Sequence, residues 1–267
     1  ESYLHCLQCL VCLQHTHVSE LIMERRERMK NKKSVLKVII LIIVAAILVI
    51  IAGMAVKLLK EDYAEEKQFE DIQKVLEKSD DEDILSKLRK RNSDVIGYLE
   101  IPDTTISYPV MQTKNNPDFY LTHDIDKNYS FYGTPYLSAY CDLEKSDNLI
   151  IYGHNINGGR MFGALTQYRD ESFYKKHKNI YFTTERKRKY EIFAVISVNK
   201  YEFPYWQFVM AQDEIDYDEF LNMVKQYSIY KSDSTPKYGD KLLTLSTCDN
   251  VRGRDYRFVI LAKNGSE

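Results

Sequence analysis

The chain has 267 residues, 44% of them hydrophobic, so it is long enough for one medium-sized globular domain with attached segments. Its 37 Lys and Arg residues and 39 Asp and Glu residues leave a formal net charge of -2. This balance argues against a nucleic-acid-binding protein, which usually carries a concentrated basic face.

The first 22 residues contain three cysteines, Cys6, Cys9 and Cys12, each separated from the next by two residues. This spacing can serve a metal site, but no second ligand pair follows at the distance typical of zinc fingers. Met23 is a suitable start for the protein. We therefore interpret residues 1–22 as a translated leader and expect no functional metal site there.

An uncharged apolar stretch covers residues 38–56. At a rise of about 1.5 Å per residue, a helix of this length crosses the hydrocarbon core of a bilayer. A signal peptide usually has a shorter apolar region and a small-residue cleavage site. Basic residues crowd residues 25–37, so the positive-inside rule predicts a cytoplasmic segment 1–37, a transmembrane anchor 38–56 and an extracellular remainder.

Residues 57–93 are rich in charge, and apolar residues recur among them at helical spacing. This pattern predicts a helical stalk, interrupted near Ser79–Asp83, whose later part packs on the following domain. The domain itself is predicted to occupy residues 94–267.

From Asp94 onward, short β-rich runs alternate with turn signals such as Pro102-Asp103. Only short helices are predicted between them, apart from a longer one near Ile215–Ser228. Such a pattern favours a mainly β, antiparallel barrel or sandwich over a parallel α/β sheet. The predicted strands are Val95–Ile101, Thr104–Val110, Asn148–Tyr152, Asn179–Thr183, Lys189–Val198, Lys241–Thr247 and Asp255–Ala262.

The last two strands form a predicted hairpin that carries Cys248 at the end of its first strand. If Cys248 lies across from Asp255 or from Arg257, its side chain and that of Arg257 face the same side, whereas a slip of one residue turns the arginine away. The sequence leaves this register open. Arg252 and Arg254 are the alternative cations.

A thiol becomes a strong nucleophile when a neighbouring cation favours its thiolate, and histidine can supply that cation and later protonate a leaving amine. His154 is the strongest candidate, because it follows a predicted apolar strand and opens a glycine-bearing loop. His123 and His177 are expected at the surface. Cys141 is the other cysteine after the anchor, so a disulfide with Cys248 is the alternative to a free nucleophile.

Three motifs resemble those of the sortases, the enzymes that anchor surface proteins to Gram-positive cell walls. Thr244-Leu-Ser-Thr-Cys248 resembles their cysteine signature, Tyr152-Gly-His-Asn155 resembles their histidine motif, and the run Arg257–Leu261 resembles their arginine strand. The motifs stand in the family's order over roughly Asp94–Lys263. The resemblance implies a closed antiparallel β-barrel with N-terminal helices and an inserted helix.

Within that family the chain resembles class B. The insert Tyr201–Tyr230 precedes the cysteine strand, Glu171–His177 resembles a class B helix, and Arg257 follows Cys248 by nine residues. This resemblance implies that Cys248 is the nucleophile, His154 the acid and base, and Arg257 the oxyanion stabiliser. It also suggests a set of substrate-binding residues: Asn116, Leu121, Tyr205, Trp206, Ser246 and Asp249, the last of which alternatively caps its own loop.

The implied reaction is cleavage of a sorting motif after threonine through a thioester, followed by transfer to a peptidoglycan amine. The partners would be sorting peptides of the type Asn-Pro-x-Thr followed by Asn or Gly, the peptidoglycan precursor and the membrane, with no cofactor or metal in this class, although the many acidic residues leave a calcium site open. A peptide hydrolase and a non-catalytic, tethered peptide-binding module remain as alternatives. A papain-like protease is disfavoured because His154 precedes Cys248.

Overall fold

A computed structural model describes residues 2–77 and 81–264, with side chains from Met23 onward except at residues 27, 68, 73, 75–77 and 81–83. The chain divides into two units, Glu1–Tyr63 and Ala64–Glu267. The cysteines at positions 6, 9 and 12 lie outside the residues whose side chains are described.

The first unit is helical. Helix α1 covers Ser2–Glu77, and among the described residues its section Met23–Ile72 is long and apolar enough to cross a membrane, with a mean hydropathy of 3.4 in its most apolar window. The apolar side chains between Val38 and Val56 are exposed to their surroundings. This is the property expected of a helix that contacts lipid.

The second unit begins with the end of α1 and with α2 (Asp81–Arg91). Ile72 of α1 and Ile84, Leu85 and Leu88 of α2 are buried in one cluster with residues of the first two strands. The part of the predicted stalk nearest the domain is therefore packed on it by a hydrophobic stripe at helical spacing.

Eight strands close into a barrel in the order β1-β2-β3-β4-β7-β8-β6-β5. The strands are β1 (Val95–Glu100), β2 (Ser107–Met111), β3 (Tyr136–Leu137), β4 (Asn148–Tyr152), β5 (Asn179–Thr183), β6 (Lys187–Asn199), β7 (Leu242–Cys248) and β8 (Tyr256–Asn264). Seven of them match predicted strands. The short strand β3 was missed, because two residues are too few to show an alternating pattern.

The mainly β barrel is confirmed, but the expectation of purely antiparallel pairing needs correction. The pairs β2–β3 and β4–β7 are parallel. Parallel strands need a long crossover connection, and the chain between β4 and β7 provides one that includes β5, β6 and the predicted inserted helix.

The remaining helices lie around the barrel. They are α3 (Glu171–Lys176), α4 (Glu214–Tyr227) and the 3₁₀ helices Phe119–Leu121, Asn157–Gly159, Phe162–Arg169 and Tyr205–Gln207. Helix α4 begins at a capping residue, because the carboxylate of Asp213 accepts a hydrogen bond from the backbone N–H of Asp216.

The two faces of the β7–β8 hairpin enter different cores. Leu243, Leu245 and Phe258 lie in the barrel interior. Leu242 and Val259 belong to a second core that the insert covers with α4 and its preceding aromatic loop. Because side chains alternate along a strand, successive residues of this hairpin face the barrel interior and the insert in turn.

Asn148 fastens β4, β7 and the insert together from a fully buried position. Its Nδ2 donates to the carbonyl of Phe208 at 2.9 Å, and its Oδ1 accepts from Thr244 Oγ1 at 2.8 Å. We expect Asn148→Ala to lower the free energy of unfolding by about 2–4 kcal/mol, since both partners would be left buried and unpaired. Urea unfolding of the full chain in detergent micelles measures this.

The matched control is Asn128→Ala, which removes an exposed amide. That variant should stay within about 0.5 kcal/mol of the parent protein. Equal losses in the two variants would contradict the role given to Asn148.

Candidate active site

The site lies where the parallel strands β4 and β7 end at the same edge of the barrel. Tyr152 is paired with Ser246. Beyond this pair, the N–H of Gly153 donates to the carbonyl of Ser246 at 3.1 Å, and Thr247 Oγ1 donates to the carbonyl of Gly153 at 2.8 Å. His154 and Cys248 each follow the pair by two residues, so the continued register brings them to one place.

Cys248 presents an exposed, free thiol. Its backbone is held from the histidine side, because Asn155 Nδ2 donates to the Cys248 carbonyl at 2.8 Å. Cys141 is also free but buried, and burial raises the pKa of its thiol to about 11. The disulfide alternative is therefore excluded in this structure, and the two thiols differ sharply in solvent accessibility.

The register that the sequence left open pairs Cys248 directly with Arg257. Directly opposed residues of antiparallel strands project to the same face, so the arginine faces the side of the thiol. Its Nη1 donates to the carbonyls of Arg254 and Tyr256, both at 3.0 Å, which steadies the guanidinium.

The alternative cations are placed differently. Arg252 donates from Nη1 to the carbonyl of Ser197 at 2.9 Å and lies over the ring of Tyr256, 4.2 Å from its centroid. Arg254 lies in the exposed loop between the strands. Of the three arginines, Arg257 is the one that the strand pairing sets opposite Cys248.

The half-buried ring of His154 is oriented by the backbone. Its Nε2 lies 2.8 Å from the carbonyl oxygen of Leu121. A carbonyl oxygen only accepts, so Nε2 carries the hydrogen and Nδ1 is the nitrogen left for proton exchange. His177 was expected at the surface, but it is 9% exposed and its ring stacks on Phe173 at 4.0 Å.

The Leu121 carbonyl is held in place by a tight local structure. Buried Tyr120 donates its hydroxyl to Asp94 at 2.8 Å, which anchors the turn to the start of β1. Gly133 has φ +60°, and a Cβ at this position would lie 2.5 Å from the carbonyl oxygens of both Tyr120 and Leu121. Glycine is therefore required where this loop passes the turn.

Two of the suggested substrate-binding residues lie in this same loop. Asn116 is exposed, and its carbonyl accepts from Thr113 Oγ1 at 2.6 Å. Leu121 is 37% exposed, beside the histidine that its carbonyl orients. The structure thus brings Leu121 to the site and gives Asn116 an accessible side chain on the same loop.

Three more suggested residues lie on the insert side of the hairpin. The hydroxyls of Tyr205 and Ser246 are 2.6 Å apart, and both residues are 2% exposed. Burial raises the pKa of Tyr205 to about 12, although the hydrogen bond with Ser246 and the charge of Arg257 act to lower it. Trp206 is half-buried, with its ring edge-on to Tyr205 at 5.4 Å.

Asp249 does not line an open surface, because its side chain is fully buried. Its carboxylate accepts from Ser197 Oγ at 2.5 Å and from the backbone N–H groups of Val251 and Arg252, and it pairs with Arg169. Burial raises the pKa of Asp249, but the hydrogen bond from Ser197 and the ion pair with Arg169 outweigh it, so the pKa lies below its ordinary value. These contacts agree with the loop-capping alternative.

Sequence reasoning missed four residues that shape this site. Asn155 was available as the last residue of the histidine motif. Gly133, Tyr120 and Arg169 carried no signal, because each acts through contacts made across many residues of sequence.

Comparison with known proteins gives concordant results. The Sortase domain model matches residues 99–264. The chain is 37% identical over 186 residues to sortase B of Listeria monocytogenes, covering 68% of this chain and 74% of that protein. Sortase B from Bacillus anthracis in complex with AAEK1 superposes with a TM-score of 0.69 at 29% identity, covering 78% and 99% of the two chains. The Staphylococcus aureus sortase B–substrate complex gives 0.68 at 29% identity, covering 78% and 97%.

We expect Gly133→Ala to displace the carbonyl that orients His154. Alanine in the left-handed region costs about 1–2 kcal/mol by itself, and the contact with two carbonyl oxygens adds to this cost. The control Gly239→Ala has φ +97° but open space around the new Cβ, so it isolates the backbone cost. Urea unfolding measures the stability of each variant, and ¹⁵N NMR of histidine-labelled protein reports the state of the His154 ring. Identical spectra and stabilities for the two variants would refute this account.

Proposed function

The chain belongs to the sortase family, within its class B, and from this premise we propose that it is a membrane-anchored transpeptidase with Cys248, His154 and Arg257 as its catalytic residues. The observation that carries this assignment is the direct pairing of Cys248 with Arg257 at the edge of the barrel where the neighbouring strand β4 leads into His154. The exposed thiol supports it further, because a nucleophile must be reachable by its substrate.

In the proposed first step, the Cys248 thiolate attacks the carbonyl carbon of the threonine in a sorting peptide, its proton having passed to His154. The oxyanion that forms accepts hydrogen bonds from Arg257, whose fork of donors keeps its charge at every physiological pH. The threonine C–N bond then breaks and leaves a thioester on Cys248.

His154 supplies the proton that the departing amine needs. Nδ1 is suited to this exchange because Nε2 is engaged with the Leu121 carbonyl. In the second step a peptidoglycan amine attacks the thioester, His154 takes its proton, and Cys248 leaves as the thiolate. The same nitrogen serves as acid in one half-reaction and as base in the other.

We propose that the peptide lies between the loop of Asn116 and Leu121 and the insert that carries Trp206. Leu121 beside His154 and Trp206 beside Tyr205 both offer accessible apolar surface, which supports this location. Tyr205 and Ser246 would act beneath it through their mutual hydrogen bond. The expected motif is Asn-Pro-x-Thr followed by Asn or Gly.

Anchoring is proposed from α1. The uncharged segment 38–56 would cross the membrane with residues 1–37 in the cytoplasm, since the basic residues precede it. The stalk 57–93 would then hold the catalytic domain 94–267 at the outer surface, where the peptidoglycan precursor amine would be the acceptor.

We expect Cys248→Ala to abolish peptide cleavage, because no other accessible thiol follows the anchor in the described residues. The matched control is Cys141→Ala, whose thiol is buried with a raised pKa, and it should retain cleavage. The assay incubates the full chain in detergent micelles with quenched peptides containing Asn-Pro-Gln-Thr-Asn or Ser-Pro-Lys-Thr-Gly, followed by mass spectrometry.

Three results are possible. Cleavage after threonine that disappears only in Cys248→Ala, with product joined to an added amine, supports the transpeptidase. Cleavage without any amine product favours the hydrolase. Absence of cleavage, together with a Cys248 thiol inert to alkylating reagents, would leave the tethered binding module.

We expect Arg257→Gln to lower kcat/KM by about 100-fold, the usual loss when a donor to an oxyanion is removed. Arg254→Gln, a neighbouring arginine in the exposed loop, should stay within about twofold. Circular dichroism checks that both variants are folded. Equal activity of the two variants would remove Arg257 from the mechanism.

A further inference from the structure

Arg169 contacts the face of the β7–β8 hairpin that is opposite the reactive side chains. Cys248 and Arg257 project toward the insert, whereas Phe258 lies in the barrel interior and Asp249 is fully buried. Arg169 ends the 3₁₀ helix Phe162–Arg169, which begins soon after the His154 loop. It therefore connects the segment after the histidine to the segment after the cysteine.

Two contacts make this connection. Arg169 Nη2 lies 2.5 Å from Asp249 Oδ1, and the guanidinium lies over the ring of Phe258, 4.6 Å from its centroid. Asp249 is the neighbour of Cys248, and Phe258 is the neighbour of Arg257. One side chain thus touches the residue next to each of the two groups that face the substrate.

The other contacts of Asp249 extend this link to the loop and to β6. Its Oδ2 accepts from Ser197 Oγ, and its Oδ1 accepts from the N–H groups of Val251 and Arg252 at 3.1 and 3.2 Å. The carboxylate therefore fixes the first turn of the loop that joins Cys248 to Arg257. A carboxylate buried this deeply requires a cation to balance its charge, and Arg169 supplies it.

We propose that Arg169 is a positioning residue. From the opposite face of the β7–β8 hairpin, it fixes the position of Cys248 relative to Arg257. This role rests on the proposed function, because it serves the geometry of the thiol and the oxyanion donor. Arg169 touches neither group directly. Loss of its charge would leave Asp249 unbalanced and free the loop, so that the two reactive side chains would move relative to each other.

The test compares Arg169→Met, which keeps the length and loses the charge, with Arg169→Lys, which keeps the charge and loses the planar fork. Both are made in the full chain and studied in detergent micelles. We expect Arg169→Met to lower kcat roughly 10-fold to 100-fold with little change in KM, the scale of a misplaced catalytic group. Arg169→Lys should recover part of this loss, because its ammonium still balances Asp249.

A second readout does not depend on turnover. The rate of Cys248 alkylation by iodoacetamide is followed against pH, by mass spectrometry of the tryptic peptide 242–252. In Arg169→Met the profile should differ from that of the parent protein, since a displaced thiol has different neighbours.

The matched control is Arg188→Met. Arg188 is also an arginine in an ion pair, with Glu144 at 3.6 Å, and its side chain is 19% exposed. It lies nine residues from Ser197 along β6, roughly 30 Å at the strand rise. This variant should keep the kcat and the alkylation profile of the parent protein.

The outcomes separate the two levels of the proposal. A folded Arg169→Met protein with unchanged kcat and an unchanged alkylation profile would overturn the positioning role, even if its melting temperature fell. A parent protein that cleaves no peptide would refute the proposed function, while a shifted alkylation profile in Arg169→Met would still support the positioning of Cys248.

Discussion

The parallel pairing of β4 with β7 is the constraint on which the site depends. It aligns Tyr152 with Ser246 and brings the two strands to their ends at one edge of the barrel. Parallel neighbours cannot be joined by a tight turn, so the intervening chain must cross over. That crossover supplies the insert, and the insert covers the outer face of β7 and β8 beside Cys248 and Arg257.

The two faces of the β7–β8 hairpin have different roles. One face presents Cys248 and Arg257, and the other contributes Phe258 to the barrel core and Asp249 to a buried ion pair. Because strand side chains alternate, Cys248 and Arg257 can stay accessible while their immediate neighbours are fixed by packing. Packing in the core therefore restricts the movement of a site that is open to solvent.

The orientation of His154 depends on a backbone carbonyl rather than on another side chain. A carbonyl oxygen only accepts hydrogen bonds, so its contact with Nε2 specifies the hydrogen on that nitrogen. Its position depends in turn on buried Tyr120 and on a glycine at φ +60°. Packing at the start of the barrel offsets the free-energy cost of holding that turn.

Local information in the sequence was sufficient for seven of the eight barrel strands, the inserted helix, the apolar segment of α1 and the motifs that carry Cys248, His154 and Arg257, because alternation, charge and short motifs depend on neighbouring residues. It could not supply the register that pairs Cys248 with Arg257, the two parallel strand pairs, the Leu121 carbonyl beside His154 or the link from Arg169 to Asp249. Each of these joins residues that are distant in the chain or requires one choice between alternative pairings. Only the closure of the barrel and the packing of its interior select among such alternatives, since a slip of one residue exchanges the buried face of a strand for the exposed one.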